Sequence, residues 1–94
     1  MPSSLGVSDA SARDELLAAF ERWKQALRSG LESMQARGEL DGRADLDELS
    51  DVLLTALHGG SQLSVTLGRI EPMRAALRGA LHYVESFAVV ARTE

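Results

Sequence analysis

The chain has 94 residues, no cysteine, four aromatic side chains and a formal charge of −4. That length makes one domain or part of one, burying roughly 65% of its extended surface. Without cysteine there is no disulfide framework and no thiolate metal site, and the low aromatic content and acidic balance exclude a stacking platform or basic groove for nucleic acid.

Residues 1–10 hold Pro2, Gly6 and several polar side chains without periodicity, which predicts a flexible lead-in. Ser11 and Asp14 have capping-box spacing, and Asp14 and Glu15 suit the positive end of a helix. Leu16, Phe20, Trp23, Leu27, Leu31 and Met34 then recur every three or four residues. The pattern predicts a helix over 11–37, ended by Gly38. Glu39 to Ala44 form a connection. Asp45 caps a second helix over 45–68, with Asp47 and Glu48 in its first turn. Leu46, Leu49, Leu53, Leu57, Leu63 and Leu67 carry it past Gly59-Gly60, where each glycine costs about 1 kcal/mol against alanine. Pro72 opens a third helix over 71–91, running through Met73, Leu77, Leu81, Val84 and Phe87. No strand alternation and no internal repeat occur. The fold class is all-α, with three long helices packed in antiparallel fashion.

The longest uncharged stretch, Val52 to Gly68, includes His58, Gln62, glycines and hydroxyl side chains, too polar for a membrane span. The start lacks the charged and apolar regions of a signal peptide, so a cytoplasmic location is expected.

The widths of the apolar faces separate the three helices. On the first, the apolar residues fall within about 80°, enough for one neighbour with water on the other side. On the third, the sweep from Met73 through Ala76, Leu77, Ala80, Tyr83, Val84 and Phe87 covers about 180°. The second covers about 140°. A single three-helix layer cannot cover two such faces, and contiguous apolar surface marks an interface. A symmetric dimer solves this, with the second and third helices of each copy making a four-helix bundle. Small residues four apart (Ala56, Gly60 and Ser64; Ala76 and Ala80; Ala75 and Gly79) allow close helix approach. Gly59-Gly60 is therefore expected at a helix crossing.

Chemistry is sparse. Six acids lie between Glu39 and Asp51, which read as a solvated loop and a helix N-terminus rather than a docking patch. Asp41, Asp45 and Asp47 lack the ligand alternation, central glycine and terminal glutamate of a calcium loop. His82 with Glu85, and His58 elsewhere, make no closed metal site, and no serine has a histidine base beside it. No catalytic residue, metal or cofactor is assigned, and an enzyme is not expected. His58 and Gln62, one turn apart, present polar groups at the edge of the second helix.

The order of signals is informative. Phe20 to Leu27, then Gly30-Leu31, then Ala36-Arg37-Gly38-Glu39-Leu40, resemble the seventh helix of TetR-family transcriptional regulators. Asp45 to Leu49 followed by Leu53 to Gly60 are similar to the eighth, where a Gln-Gly-Gly triplet often sits mid-helix and His58 stands for the glutamine. Glu71 to Leu77 resemble the start of the ninth. The resemblance spans residues 14–90 and implies the C-terminal domain of a dimeric repressor that binds a small, often apolar effector. Its homodimer interface would fall on Gly60, Leu63, Ser64, Leu67, Ala76, Ala80, Tyr83, Val84 and Phe87. Effector contacts would come from Trp23, Leu27, Met34, His58 and Gln62. Nothing in the chain corresponds to the family's N-terminal helix-turn-helix head, so DNA would be met only through that absent segment and residues 11–94 form a partial domain. The rival expectation is a stand-alone helical dimerisation or adaptor module without ligand; a small helical enzyme is a distant third.

Overall fold

A computed structural model describes the backbone of residues 2–89 and the side chains of residues 10–89. Three helices follow in order: α1 (Pro2–Ala36), α2 (Leu46–Leu67) and α3 (Glu71–Glu85). The central element is α2, which packs against both α1 and α3.

Helix α1 starts at Pro2, so the flexible lead-in expected over residues 1–10 is helical from its second residue. Proline is tolerated in the first turn because its missing N–H has no partner there anyway. Ser11 and Asp14 therefore lie inside the helix and cap nothing. At about 1.5 Å per residue α1 is about 52 Å long. It ends as expected at Gly38, which takes φ 79°. Gly38 N–H donates to Gln35 O at 3.1 Å and Glu39 N–H to Met34 O at 2.8 Å, a Schellman motif that only a left-handed residue permits.

The same device ends α2. Gly68 has φ 67°, Arg69 N–H donates to Ser64 O at 3.1 Å and Gly68 N–H to Val65 O at 3.3 Å. At the other end Asp45 caps α2, its carboxylate accepting from Asp47 N–H at 3.1 Å and Glu48 N–H at 3.2 Å. Such a cap stabilises a helix by about 1 kcal/mol.

Helix α3 stops at Glu85 and does not run to residue 91; residues 90 and 91 lie outside the described part. Ser86 ends it, its hydroxyl donating to Tyr83 O at 2.6 Å in competition with the helical pattern. The chain then pairs with the α1–α2 connection through an isolated antiparallel bridge between Leu40 and Ala88. Asp41 N–H donates to Phe87 O at 2.8 Å and Val89 N–H to Glu39 O at 2.9 Å. Phe87, expected on the third helix, thus lies in a turn and packs against the core.

That core sits at one end of the molecule. Leu31, Leu40, Ala44, Leu46, Leu49 and Val84 are buried together, with Met34, Leu53 and Phe87 against them. Gln35 ties the connection down, its Nε2 donating to Asp41 O at 3.0 Å. Farther along, contact between α2 and α3 depends on Gly60. A Cβ there would lie 3.0 Å from Met73 Cα and 3.3 Å from Ala76 Cβ. Gly59 has open space around it. The expected crossing is real, belongs to Gly60 alone, and lies within the chain.

The arrangement is one helix thick. The Cα trace measures 69 × 29 × 14 Å, and its radius of gyration is 17.3 Å against about 12 Å for a compact chain of this length.

Two stability predictions follow from this packing. Gly59→Ala should raise the melting temperature, helix propensity adding about 0.5–1 kcal/mol of stability. Gly60→Ala should lower it, because the added methyl meets Met73 backbone; thermal unfolding by circular dichroism separates the two. Leu49→Ala, at a residue only 1% exposed, should cost about 2–4 kcal/mol in urea unfolding. The exposed Leu17→Ala should stay within about 0.5 kcal/mol.

Candidate functional site

The α1–α2 seam has two chemically opposite edges. Along one, Lys24 and Arg28, a turn apart on α1, meet Asp47 and Asp51, a turn apart on α2. Lys24 Nζ lies 3.2 Å from Asp51 Oδ1 and 3.9 Å from Asp47 Oδ1. Arg28 Nε donates to Asp47 Oδ1 at 3.0 Å, and its Nη1 to Glu32 Oε2 at 2.8 Å. The bond to Asp51 raises the Lys24 pKa above its ordinary value, and the bond to Asp47 does the same for Arg28. The acid-rich segment is therefore used inside the chain. Asp45 caps α2, Asp47 and Asp51 hold α1, and Glu48 accepts from the Tyr83 hydroxyl.

Along the other edge lies a groove of about 500 Å³ lined by Trp23, Ala26 and Leu27 of α1 and Leu54, Leu57, His58 and Ser61 of α2. The Phe20 ring meets Trp23 edge-on at 5.5 Å and His58 edge-on at 5.0 Å. His58 and Leu54 also line a smaller recess of about 260 Å³ beside Phe20. Ala26 and Leu27 continue into a trough of about 610 Å³ that reaches Met34, Leu53, Leu81 and Val84.

The structure brings Trp23, Leu27 and His58 of the candidate effector set together in one groove. Met34 stands apart, against the core and in the adjoining trough. Gln62 is exposed and lines none of these spaces. Leu54, Leu57 and Ser61 belong to the groove without having been singled out. The signal was present, since Leu54, His58 and Ser61 fall on one helical face.

Between α2 and α3, a groove of about 710 Å³ is floored by small side chains, Val52, Thr55, Ala56, Ala75 and Gly79, with Asp45 and Glu48 at its rim. Of the nine interface candidates, Gly60, Ala80 and Val84 are already buried inside the chain. Ala76 faces Gly60, and the Ser64 hydroxyl accepts from Met73 N–H at 3.0 Å. Phe87 packs on the core and meets the Tyr83 ring edge-on at 5.4 Å. Leu63, Leu67 and Tyr83 remain exposed, Leu63 to 55%. The small residues Ala75 and Gly79 of the groove are exposed as well.

Among the described residues no group of three or more His, Asp or Glu side chains could hold a metal ion. None of the described helices is long and apolar enough to cross a membrane. The family described as Tetracyclin repressor-like, C-terminal domain, matches residues 5–80. The chain belongs to that family: it is a TetR-family C-terminal domain, a class with regulatory, ligand-binding and dimerising roles. No curated protein and no solved structure matches it.

Tyr83, the only tyrosine, offers a direct check of the α2–α3 pairing. Its hydrogen bond to Glu48 raises the phenol pKa above the ordinary 10.0, with burial adding to the shift. Folding therefore gains from the protonated phenol at all pH values below 10.0, and loses that gain as pH rises through the raised value. Absorbance titration at 295 nm should place the midpoint above that of the urea-unfolded chain, and Glu48→Ala, which removes the acceptor, should narrow the gap.

Proposed function

We propose that this chain is the regulatory and dimerisation domain of a TetR-family transcriptional repressor. Two copies pair through α2 and α3 as a four-helix bundle, and a small apolar effector enters the α1–α2 groove. The observation that carries the pairing is the single-layer arrangement. A chain of this mass would expose roughly 5,300 Å² as a compact monomer; this one exposes 6873 Å². The groove floored by Ala75 and Gly79 suits the close approach of a helix from a second copy, since small side chains let backbones come together. Leu63, Leu67 and Tyr83 are the exposed interface candidates on the two pairing helices.

The effector reading rests on the α1–α2 groove, whose volume lies in the range of small-molecule sites, roughly 300–1,000 Å³. The ion ladder on the opposite edge holds α1 while the groove edge stays open. An effector wedged between Trp23 and Leu57 favours the arrangement in which α1 is tilted about that ladder. It shifts a population by binding that arrangement more tightly. In a full-length repressor, tilting a rigid α1 changes the spacing of paired helix-turn-helix heads and so operator affinity. The domain itself does no chemistry. Its working place is the cytoplasm, beside the operator.

Sedimentation equilibrium at micromolar concentration should return twice the 10.1 kDa chain mass. Gly79→Leu fills the groove between α2 and α3 and should yield a monomer with helix content unchanged. A monomeric parent chain, or a Gly79→Leu variant that stays fully dimeric, would contradict the pairing.

A further inference from the structure

The α1–α2 groove carries information about what it holds. None of its lining side chains is a carboxylate, ammonium or guanidinium. The nearby cations, Lys24 and Arg28, are bound to Asp47, Asp51 and Glu32 along the other edge. A charged ligand would leave water without gaining a counterion, which is costly. The walls are aromatic and aliphatic, with the Trp23 indole 53% exposed and therefore open to a stacking partner. Besides the Trp23 indole N–H, which only donates, the polar side chains there are His58 and Ser61, three residues apart and so neighbours on one face of α2. Phe20 packs edge-on against the imidazole of His58 at 5.0 Å and 75°. An imidazole and a hydroxyl side by side can both donate and accept hydrogen bonds.

We propose that the groove selects an uncharged aromatic molecule bearing a hydroxyl group, stacked against Trp23, and that His58 is the residue that reads the hydroxyl. This rests on the effector reading above and narrows it to a chemical class. It also assigns the histidine a reason to stand in the middle of α2, beside the glycine pair. The family match does not supply one.

The test uses three probes of one shape: 2-naphthol, naphthalene and 2-naphthoate. Trp23 is the only tryptophan, so its indole N–H gives a single resonance in a nitrogen–proton correlation spectrum. 2-Naphthol should move that resonance saturably, binding about fivefold more tightly than naphthalene, the worth of one hydrogen bond. 2-Naphthoate should bind more weakly than 2-naphthol. His58→Leu, at an exposed position whose fold is verified by circular dichroism, should erase the preference for 2-naphthol over naphthalene while naphthalene still binds. If 2-naphthoate binds as tightly as 2-naphthol, or if the preference survives in His58→Leu, the proposed class is wrong although the groove remains a ligand site. If none of the three probes moves the Trp23 signal, the proposal fails together with the effector reading.

Discussion

The absence of a side chain at Gly60 lets α2 and α3 approach until Met73 Cα lies 3.0 Å from where a Cβ would stand. From that approach the rest of the layer follows. With α3 drawn close on one flank, α2 has its other flank free for α1, and the three helices lie side by side within a trace 14 Å thick. A layer of that thickness has two broad faces and almost no interior. Its buried cluster is therefore confined to the end where the α1–α2 connection and the turn after α3 close over Leu49. The glycine that ends α1, Gly38, and the Leu40–Ala88 bridge serve that closure. Satisfied polar groups complete it: among the described residues no buried side-chain nitrogen or oxygen lacks a partner, and Ser50, fully buried, donates to Leu46 O.

Two faces with different chemistry invite two different partners. One presents the small-residue groove between α2 and α3, rimmed by carboxylates, among them Glu48, which accepts from Tyr83. The other presents Trp23, Leu27 and the leucines of α2, running on toward Leu81. The ion ladder of Lys24, Arg28, Asp47 and Asp51 divides the α1–α2 seam between them. Its side chains are part-exposed, so salt screens it, and its contribution is orientation more than stability. The proposed pairing and the proposed ligand site occupy separate surfaces and need not compete.

Much of this was legible in the residues. The bounds of α2 followed from Asp45 and Gly68, because capping chemistry is local and the sequence carries it whole. The width of the apolar faces likewise anticipated that α2 and α3 would be left with surface uncovered. Two helix ends were not legible. The start of α1 depends on how far a marginal N-terminal segment propagates from an established helix, which no residue marks. The early end of α3 depends on Ser86 and on pairing with residues 39–41, a contact between segments far apart in sequence. The site residues divide the same way. Trp23, Leu27 and His58 share a groove because periodicity places them on facing stripes. Gly60, Ala80 and Val84 were assigned to a partner's surface, yet the chain buries them itself; facial position alone does not say which neighbour a small residue meets.

In the proposed pairing a second copy covers the outer face of α2 and α3. Since the chain has no cysteine, Arg78→Cys carries a single nitroxide on the exposed side of α3. Pulsed electron paramagnetic resonance on that labelled chain should give one narrow distance between copies, lost when Gly79 is changed to leucine. A featureless decay with no dipolar modulation at concentrations where the chain stays folded would contradict the claim.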